Sequence, residues 1–218
     1  HDTVLNRDVA LKLMHAQYAR KPEFQQRFLN EARVAAQMDH PGIVKVHDYR
    51  QDQNYLYIVM EFIAGGNLSQ MLQNLKAKQQ WLGQREAVQL VRQVGTALDY
   101  AHRKGVLHRD IKPANIMIKP EPAGDLPYQP VITDLGLARL GEGLGLTQTG
   151  ISMGTPSYMS PEQALGKPTD ARSDVYSLGI LLYELAVGQL PFKANTISEA
   201  IALHSKQPPP PPRSLRPD

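Results

Sequence analysis

Cysteine is missing from all 218 residues, which excludes disulfides, thiolate metal sites and a cysteine nucleophile and suits a reducing compartment. Also missing is an apolar run of membrane length. The longest, residues 175–187, is interrupted by Glu184, and it predicts a buried helix with no membrane contact by this segment. Neither charge is in marked excess: 24 Lys and Arg stand against 21 acidic residues, and a net +3 gives no reason to expect nucleic acid as a partner. The seven histidines show no metal-ligand spacing. The first residue is His1 and no signal-peptide pattern follows, which reads as a piece of a longer chain. Even so, 218 residues can bury a sizeable core, as one large domain or as two lobes.

What is present is concentrated in His108-Arg109-Asp110-Ile111-Lys112-Pro113-Ala114-Asn115. Asp110 offers a carboxylate to accept a proton from an attacking hydroxyl, Lys112 an ammonium to hold a transferring phosphoryl group, and Asn115 a side-chain oxygen for magnesium. The triplet Asp134-Leu135-Gly136 follows between apolar residues and supplies a second magnesium ligand. Upstream, Val9-Ala10-Leu11-Lys12-Leu13 alternates like a strand, so Lys12 projects opposite to its immediate neighbours. From Pro22, the residues Phe24, Phe28, Leu29, Ala32, Ala35 and Ala36 recur at helical spacing to about Met38, with Glu31 among them.

This set closely resembles the catalytic and metal-binding loops of protein kinases, and Lys112-Pro113 resembles the serine/threonine branch. Ser160-Pro161-Glu162 and the stretch through Gly188 look most like the eukaryotic-like serine/threonine kinases of bacteria. The fold implied is α+β and two-lobed. Its small lobe is expected to be incomplete, without the first two strands and the glycine-rich loop, and its large helical lobe to lack the last helices. Residues 1–62 would be the partial small lobe, and residues 63–218 the large lobe with hinge, catalytic loop, activation loop and a proline-rich end.

The resemblance also assigns roles. Lys12 would hold the ATP phosphates and pair with Glu31; Glu23 competes for that pairing but is explained as a first-turn acid favoured by the helix dipole. Ala10 and Met117 would pack against the adenine, Met60 would guard the back of its pocket, and the backbones of Glu61 and Ile63 would face its edge. Asn115 and Asp134 would hold Mg2+, with Mn2+ as a substitute. Leu135 stands where phenylalanine is usual and keeps the apolar role. Thr147 and Thr149 are the expected activation-loop phosphorylation sites, with Arg109 the cation that would pair with a phosphothreonine. Thr155 would bond Asp110 and Lys112, Asp174 would anchor the catalytic-loop backbone, and Glu162 would be left without the arginine that usually meets it. His108 is expected to be structural.

Between these motifs, residues 43–46 and 55–62 read as strands joined by a polar turn over 50–54. Asn67 reads as the cap of a helix carrying Leu68, Met71, Leu72 and Leu75. The stripe Ala87, Leu90, Val91, Val94, Ala97, Leu98 and Ala101 predicts a core helix ended by Gly105. Residues 119–130 read as a surface insertion, Asp174 as a helix cap, Thr196-Ile197-Ser198-Glu199 as a capping box, and residues 208–212 as extended polyproline. Gly141-Glu142-Gly143-Leu144-Gly145 follows the metal triplet and reads as activation loop rather than as a phosphate cradle.

The expected function is ATP-dependent phosphorylation of protein Ser/Thr hydroxyls in the cytoplasm, by a chain whose parent can be membrane-anchored elsewhere and which pairs with itself for trans-autophosphorylation. The alternative is a pseudokinase or docking module that keeps the fold and acts by binding a partner. A third idea makes residues 208–212 a ligand for a proline-recognising groove.

Overall fold

The computed structural model describes residues 1–14, 21–52, 55–135 and 156–216. Strand β1, Val9–Leu13, pairs antiparallel with β3, Tyr55–Glu61, whose other edge takes β2, Val46–Asp52. The register sets Ala10 opposite Met60 and Lys12 opposite Ile58. Helix α1, Pro22–Ala36, opens on a proline that needs no hydrogen-bond partner, and lays Phe24, Phe28 and Ala32 against Leu56 and Ile58 of the sheet. Burying each such large side chain is worth about 1.5–3 kcal/mol, which holds the helix bearing Glu31 beside the strand bearing Lys12.

The strand expected at residues 43–46 does not form as such. Ile43 makes a single parallel bridge to Ile132, the Val44 N–H donates to the Ile132 carbonyl, and the Ile132 N–H donates to that of Gly42. This segment therefore joins a second sheet instead of running along the first. The regular strand starts at Val46 and continues to Asp52, three residues into the expected turn, where Arg50 donates to the Asp48 carboxylate at 2.6 Å.

Helix α2, Leu68–Ala77, is capped by Asn67, and Gln70 reciprocates to complete a capping box. Helix α3, Gln84–Arg103, buries Ala87, Leu90, Val94, Ala97, Leu98 and Ala101, the expected stripe except Val91, which packs on it partly buried. The chain leaves α3 through Gly105, whose φ of +74° is a left-handed conformation that favours glycine. A two-stranded sheet follows, β4 Ile116–Lys119 against β5 Gln129–Ile132. Between them lies the insertion, and it is not a free surface loop. Leu126 and Tyr128 are buried in the main core, Gln93 donates to the Ala123 carbonyl at 2.6 Å, and the Tyr128 hydroxyl donates to Glu86 at 2.7 Å. Three side chains of one helix face thus strap the insertion down, since Gln89 also reaches Asp125.

Helices α4, Pro161–Ala164, and α5, Ala171–Val187, complete the region around residues 108–115, to which Gln163 and Asp174 hydrogen-bond. The cap of α5 is Asp170, whose Oδ1 accepts from the Arg172 N–H at 2.9 Å. Asp174 lies inside the first turn and is fully buried, so its expected capping role passes to the aspartate one turn earlier. In α6, Ile197–Lys206, Thr196 accepts from the Glu199 N–H, but Glu199 accepts from Asn195 instead of Thr196, so the box is displaced by one residue. The polyproline is shorter than expected: Pro212 opens α7, Pro212–Leu215, because a proline fits the first turn of a helix. The tract is tied to the helical body by the Tyr183 hydroxyl on the Pro210 carbonyl and by Arg216 on the carbonyls of Leu82 and Ala186. Among the described residues no helix is long and apolar enough to cross a membrane.

Candidate active site

Three elements distant in sequence meet at Lys12. Its Nζ lies 2.8 Å from Glu31 Oε1 and 2.6 Å from Asp134 Oδ1. Strand alternation turns Lys12 inward, helical spacing brings Glu31 to the same place, and the segment after β5 delivers Asp134. The competitor Glu23 stays in the exposed first turn of α1. Asp134 has φ of +62°, a conformation uncommon outside glycine, and the next residue, Leu135, is buried in the main core. Anchoring that leucine fixes where the strained aspartate points.

The catalytic-loop residues form a second cluster. Asp110 Oδ2 accepts from Lys112 Nζ at 2.8 Å and from Asn115 Nδ2 at 2.9 Å, while Asn115 Nδ2 also donates to the Asp110 carbonyl. Among the described residues nothing donates to Asp110 Oδ1. With the Asn115 amide nitrogen committed to Asp110, its carbonyl oxygen is the atom able to ligate a cation. The tight turn Pro113–Asn115 produces this geometry.

Behind the loop sits Asp174. Its carboxylate accepts from the backbone N–H of His108 at 2.9 Å and of Arg109 at 2.6 Å, and meets His102 Nε2 at 2.7 Å. His108 is fully buried. Its Nδ1 accepts from the Asp110 N–H, so Nε2 carries the proton donated to the Thr133 carbonyl at 2.9 Å. The ring thereby links the catalytic loop to the segment ending in Asp134. The structural role expected for His108 matches this placement.

The residues expected around the adenine also converge: Met60, Ile63 and Met117 pack in one cluster with Val44 and Val131, and Ala10 stands opposite Met60. The Glu61 side chain turns to Lys119, 3.0 Å away. Arg109 points its Nε at Thr169 Oγ1, 3.1 Å away. Glu162 is not left bare, because the Ser173 hydroxyl donates to it at 2.5 Å. Burial pushes the Glu162 pKa up, but that hydrogen bond and its neighbours outweigh burial and hold it below the usual carboxylate value. Thr147, Thr149, Thr155, Gly136 and the Gly141 to Gly145 run lie outside the described residues. The sequence reading passed over His102, Thr169 and Gln163; only Gln163 carries a local signal, three residues after Ser160 in capping-box spacing.

The protein kinase domain family model matches residues 2–211. The chain belongs to the protein kinase family. This kinase domain is 41% identical to the serine/threonine-protein kinase PknA of Mycobacterium tuberculosis over 215 residues, 96% of this chain and 48% of PknA. It is also 41% identical to PknJ of the same organism, over 94% of this chain and 34% of PknJ. The chain thus spans half or less of the length of these relatives. The crystal structure of the M. tuberculosis PknI kinase domain superposes with a TM-score of 0.70 at 31% identity, covering 96% of this chain and 72% of that one. The α+β kinase fold is therefore established, and among the described residues its larger sheet has three strands and the other has two.

The donors fit a nucleotide with a hard cation. One carboxylate and one carboxamide oxygen suit magnesium, which keeps waters and phosphates in its shell and needs few protein ligands. The described residues contain no group of three or more His, Cys, Asp or Glu that could hold a metal ion.

Glu31 gives the site a pH dependence. Burial pushes its pKa up to about 7 against the opposing pull of Lys12, and its Oε2 is buried without a hydrogen-bond partner among the described residues. A raised carboxyl pKa means that the folded chain favours the acid form. The stability it contributes is complete below 4.5 and is lost as pH rises through about 7. The pair with Lys12 runs the other way, since it requires ionised Glu31. Affinity for an ATP analogue is expected to strengthen between about pH 6 and 8 at constant ionic strength, and Glu31→Gln to flatten that profile. Identical profiles in the two proteins would remove Glu31 from nucleotide binding.

Proposed function

We propose that the protein transfers the γ-phosphoryl group of ATP to Ser and Thr hydroxyls of protein substrates. The observation that carries this reading is Lys12 held between Glu31 and Asp134, partners 19 and 122 positions away in sequence. Bound ATP supplies the phosphoryl group, and Mg2+, or Mn2+ in its place, neutralises charge on its phosphates. Lys12 positions the nucleotide and Glu31 orients Lys12. Asn115 and Asp134 hold the metal. Asp110 accepts the substrate hydroxyl proton through Oδ1, and Lys112, already paired with Asp110, steadies the charge that develops on the phosphoryl oxygens. Ala10, Met60, Ile63 and Met117 supply the apolar walls for adenine, with the backbones of Glu61 and Ile63 at its edge.

The same proposal divides the chain into a small-lobe part, residues 1–62, and a large-lobe part from residue 63. It includes autophosphorylation at Thr147 and Thr149 between two copies of the chain, with Arg109 meeting the phosphate, and Thr155 contacting Asp110 and Lys112. A requirement for ATP supports a cytoplasmic location. The test is incubation of the full-length protein with Mg2+, labelled ATP and a generic protein substrate, followed by phosphoamino-acid analysis and mass spectrometry of residues 136–155. Label on Ser and Thr is expected. Failure to bind ATP or to transfer label would turn the reading to a docking module with a kinase fold.

A further inference from the structure

Arg109 precedes the proposed base Asp110 and has φ of +66°, a left-handed conformation that costs an arginine energy unless its surroundings impose it. Its surroundings do so from three sides. The N–H donates to Asp174 and the side chain reaches Thr169. The third contact is at the carbonyl, which accepts from Gln163 Nε2 at 2.7 Å across 54 residues of sequence. The Gln163 amide has its opposite end committed as well: Oε1 accepts from the Ser160 N–H at 3.1 Å and from its hydroxyl at 3.0 Å. Flipping the amide would set oxygen against the Arg109 carbonyl and NH2 against the Ser160 N–H, so the orientation is fixed by its neighbours.

A helix as short as Pro161–Ala164 needs no such reach. Ser160 already caps it by accepting from the Gln163 N–H. The surplus is the donor end of Gln163, spent on the peptide unit that joins Arg109 to Asp110. We infer that Gln163 is a positioning residue of the phosphotransfer reaction: it clamps the Arg109 carbonyl and so sets where the Asp110 carboxylate points. The segment that ends in Ser160-Pro161-Glu162 is thereby coupled mechanically to the catalytic loop. This inference rests on the phosphotransfer reading for its effect on rate, but not for the existence of the clamp.

Two variants of the full-length protein separate clamp from cap. Gln163→Glu keeps an acceptor for Ser160 and turns the contact with Arg109 into carboxylate against carbonyl. Ser160→Ala weakens the cap and leaves the Arg109 contact. In Gln163→Glu, kcat is expected to fall about tenfold with KM for ATP within about twofold, because misplacing a reacting group costs rate more than binding. The deficit should narrow as pH is lowered, since the introduced carboxyl then regains a proton and donates again. Backbone hydrogen exchange over residues 108–112 should quicken in the same variant. Ser160→Ala should match the parent in kcat and in that exchange while melting lower. Unchanged exchange in Gln163→Glu, or rate losses in both variants that follow their melting temperatures, would overturn the clamp. Quickened exchange in a protein that transfers no phosphate would leave the clamp standing and remove the phosphotransfer reading.

Discussion

Asp110→Asn is expected to lower phosphotransfer about a thousandfold, within the range that a positioned general base supplies, while leaving nucleotide affinity within about twofold. The substitution preserves shape. Asp110 Oδ2 accepts from Lys112 and Asn115, and an amide oxygen in its place can accept from both. What is lost sits at the other oxygen: an NH2 there has no lone pair for the hydroxyl proton and instead points a donor at a donor. Thermal unfolding should move little, because the Asp110 N–H and carbonyl keep their contacts with His108 and Asn115. Steady-state phosphotransfer and calorimetric titration of an ATP analogue on parent and variant would check both halves. A variant retaining more than about a tenth of parental activity would mean that Asp110 is not the base. An equal loss of nucleotide affinity would mean that the substitution had disturbed Lys12 and Asp134 as well.

Much of this site was legible because phosphoryl transfer restricts residue types over short distances. A carboxylate, an ammonium and a carboxamide within His108 to Asn115 suit that chemistry, and together with the other motifs in order they carried the family resemblance. The Lys12 to Glu31 pairing was implied by the family resemblance, while strand alternation fixed only the direction of Lys12. Other features depend on contacts that leave no local pattern. Asp170 and Asp174 both stand ahead of the same apolar run, one helical turn apart. The family resemblance already implied that Asp174 anchors the backbone at residues 108–109, as its contacts there show, but only the fold shows that Asp170 and not Asp174 caps the helix. The strand expected at residues 43–46 was misplaced for a similar reason. Ile43 and Val44 are apolar because they fill the junction with the second sheet, not because they alternate along the first. In the insertion, four prolines and a glycine suggested a loose surface loop, yet Leu126 and Tyr128 enter the core. Two apolar side chains amid turn residues are too sparse a signal to read as core, although they decide where the segment lies.

The second large effect belongs to Asp174, which touches neither nucleotide nor substrate in the proposed mechanism. Its carboxylate is buried and accepts from the N–H groups of His108 and Arg109 and meets His102 Nε2. Asp174→Ala strands two backbone donors in a place that water does not readily reach, and each such loss costs about 1–3 kcal/mol. With the His102 contact added, a destabilisation of about 3–5 kcal/mol is expected, a large share of the stability of a typical domain. For a chain of this size that is a melting temperature roughly 10 °C lower. Activity should fall further than stability accounts for, because Arg109 would lose the strongest of the contacts that hold it at positive φ. Asp174→Asn sharpens the test. It keeps the volume and one acceptor, but turns an NH2 towards a donor, so it should unfold between parent and alanine variant and remain nearly as inactive as the latter. Calorimetry and phosphotransfer assays below the unfolding range would read the two effects separately. If Asp174→Ala melts within about 2 °C of the parent, the loop is held mainly by His108 and Gln163, and the buried carboxylate is not its anchor.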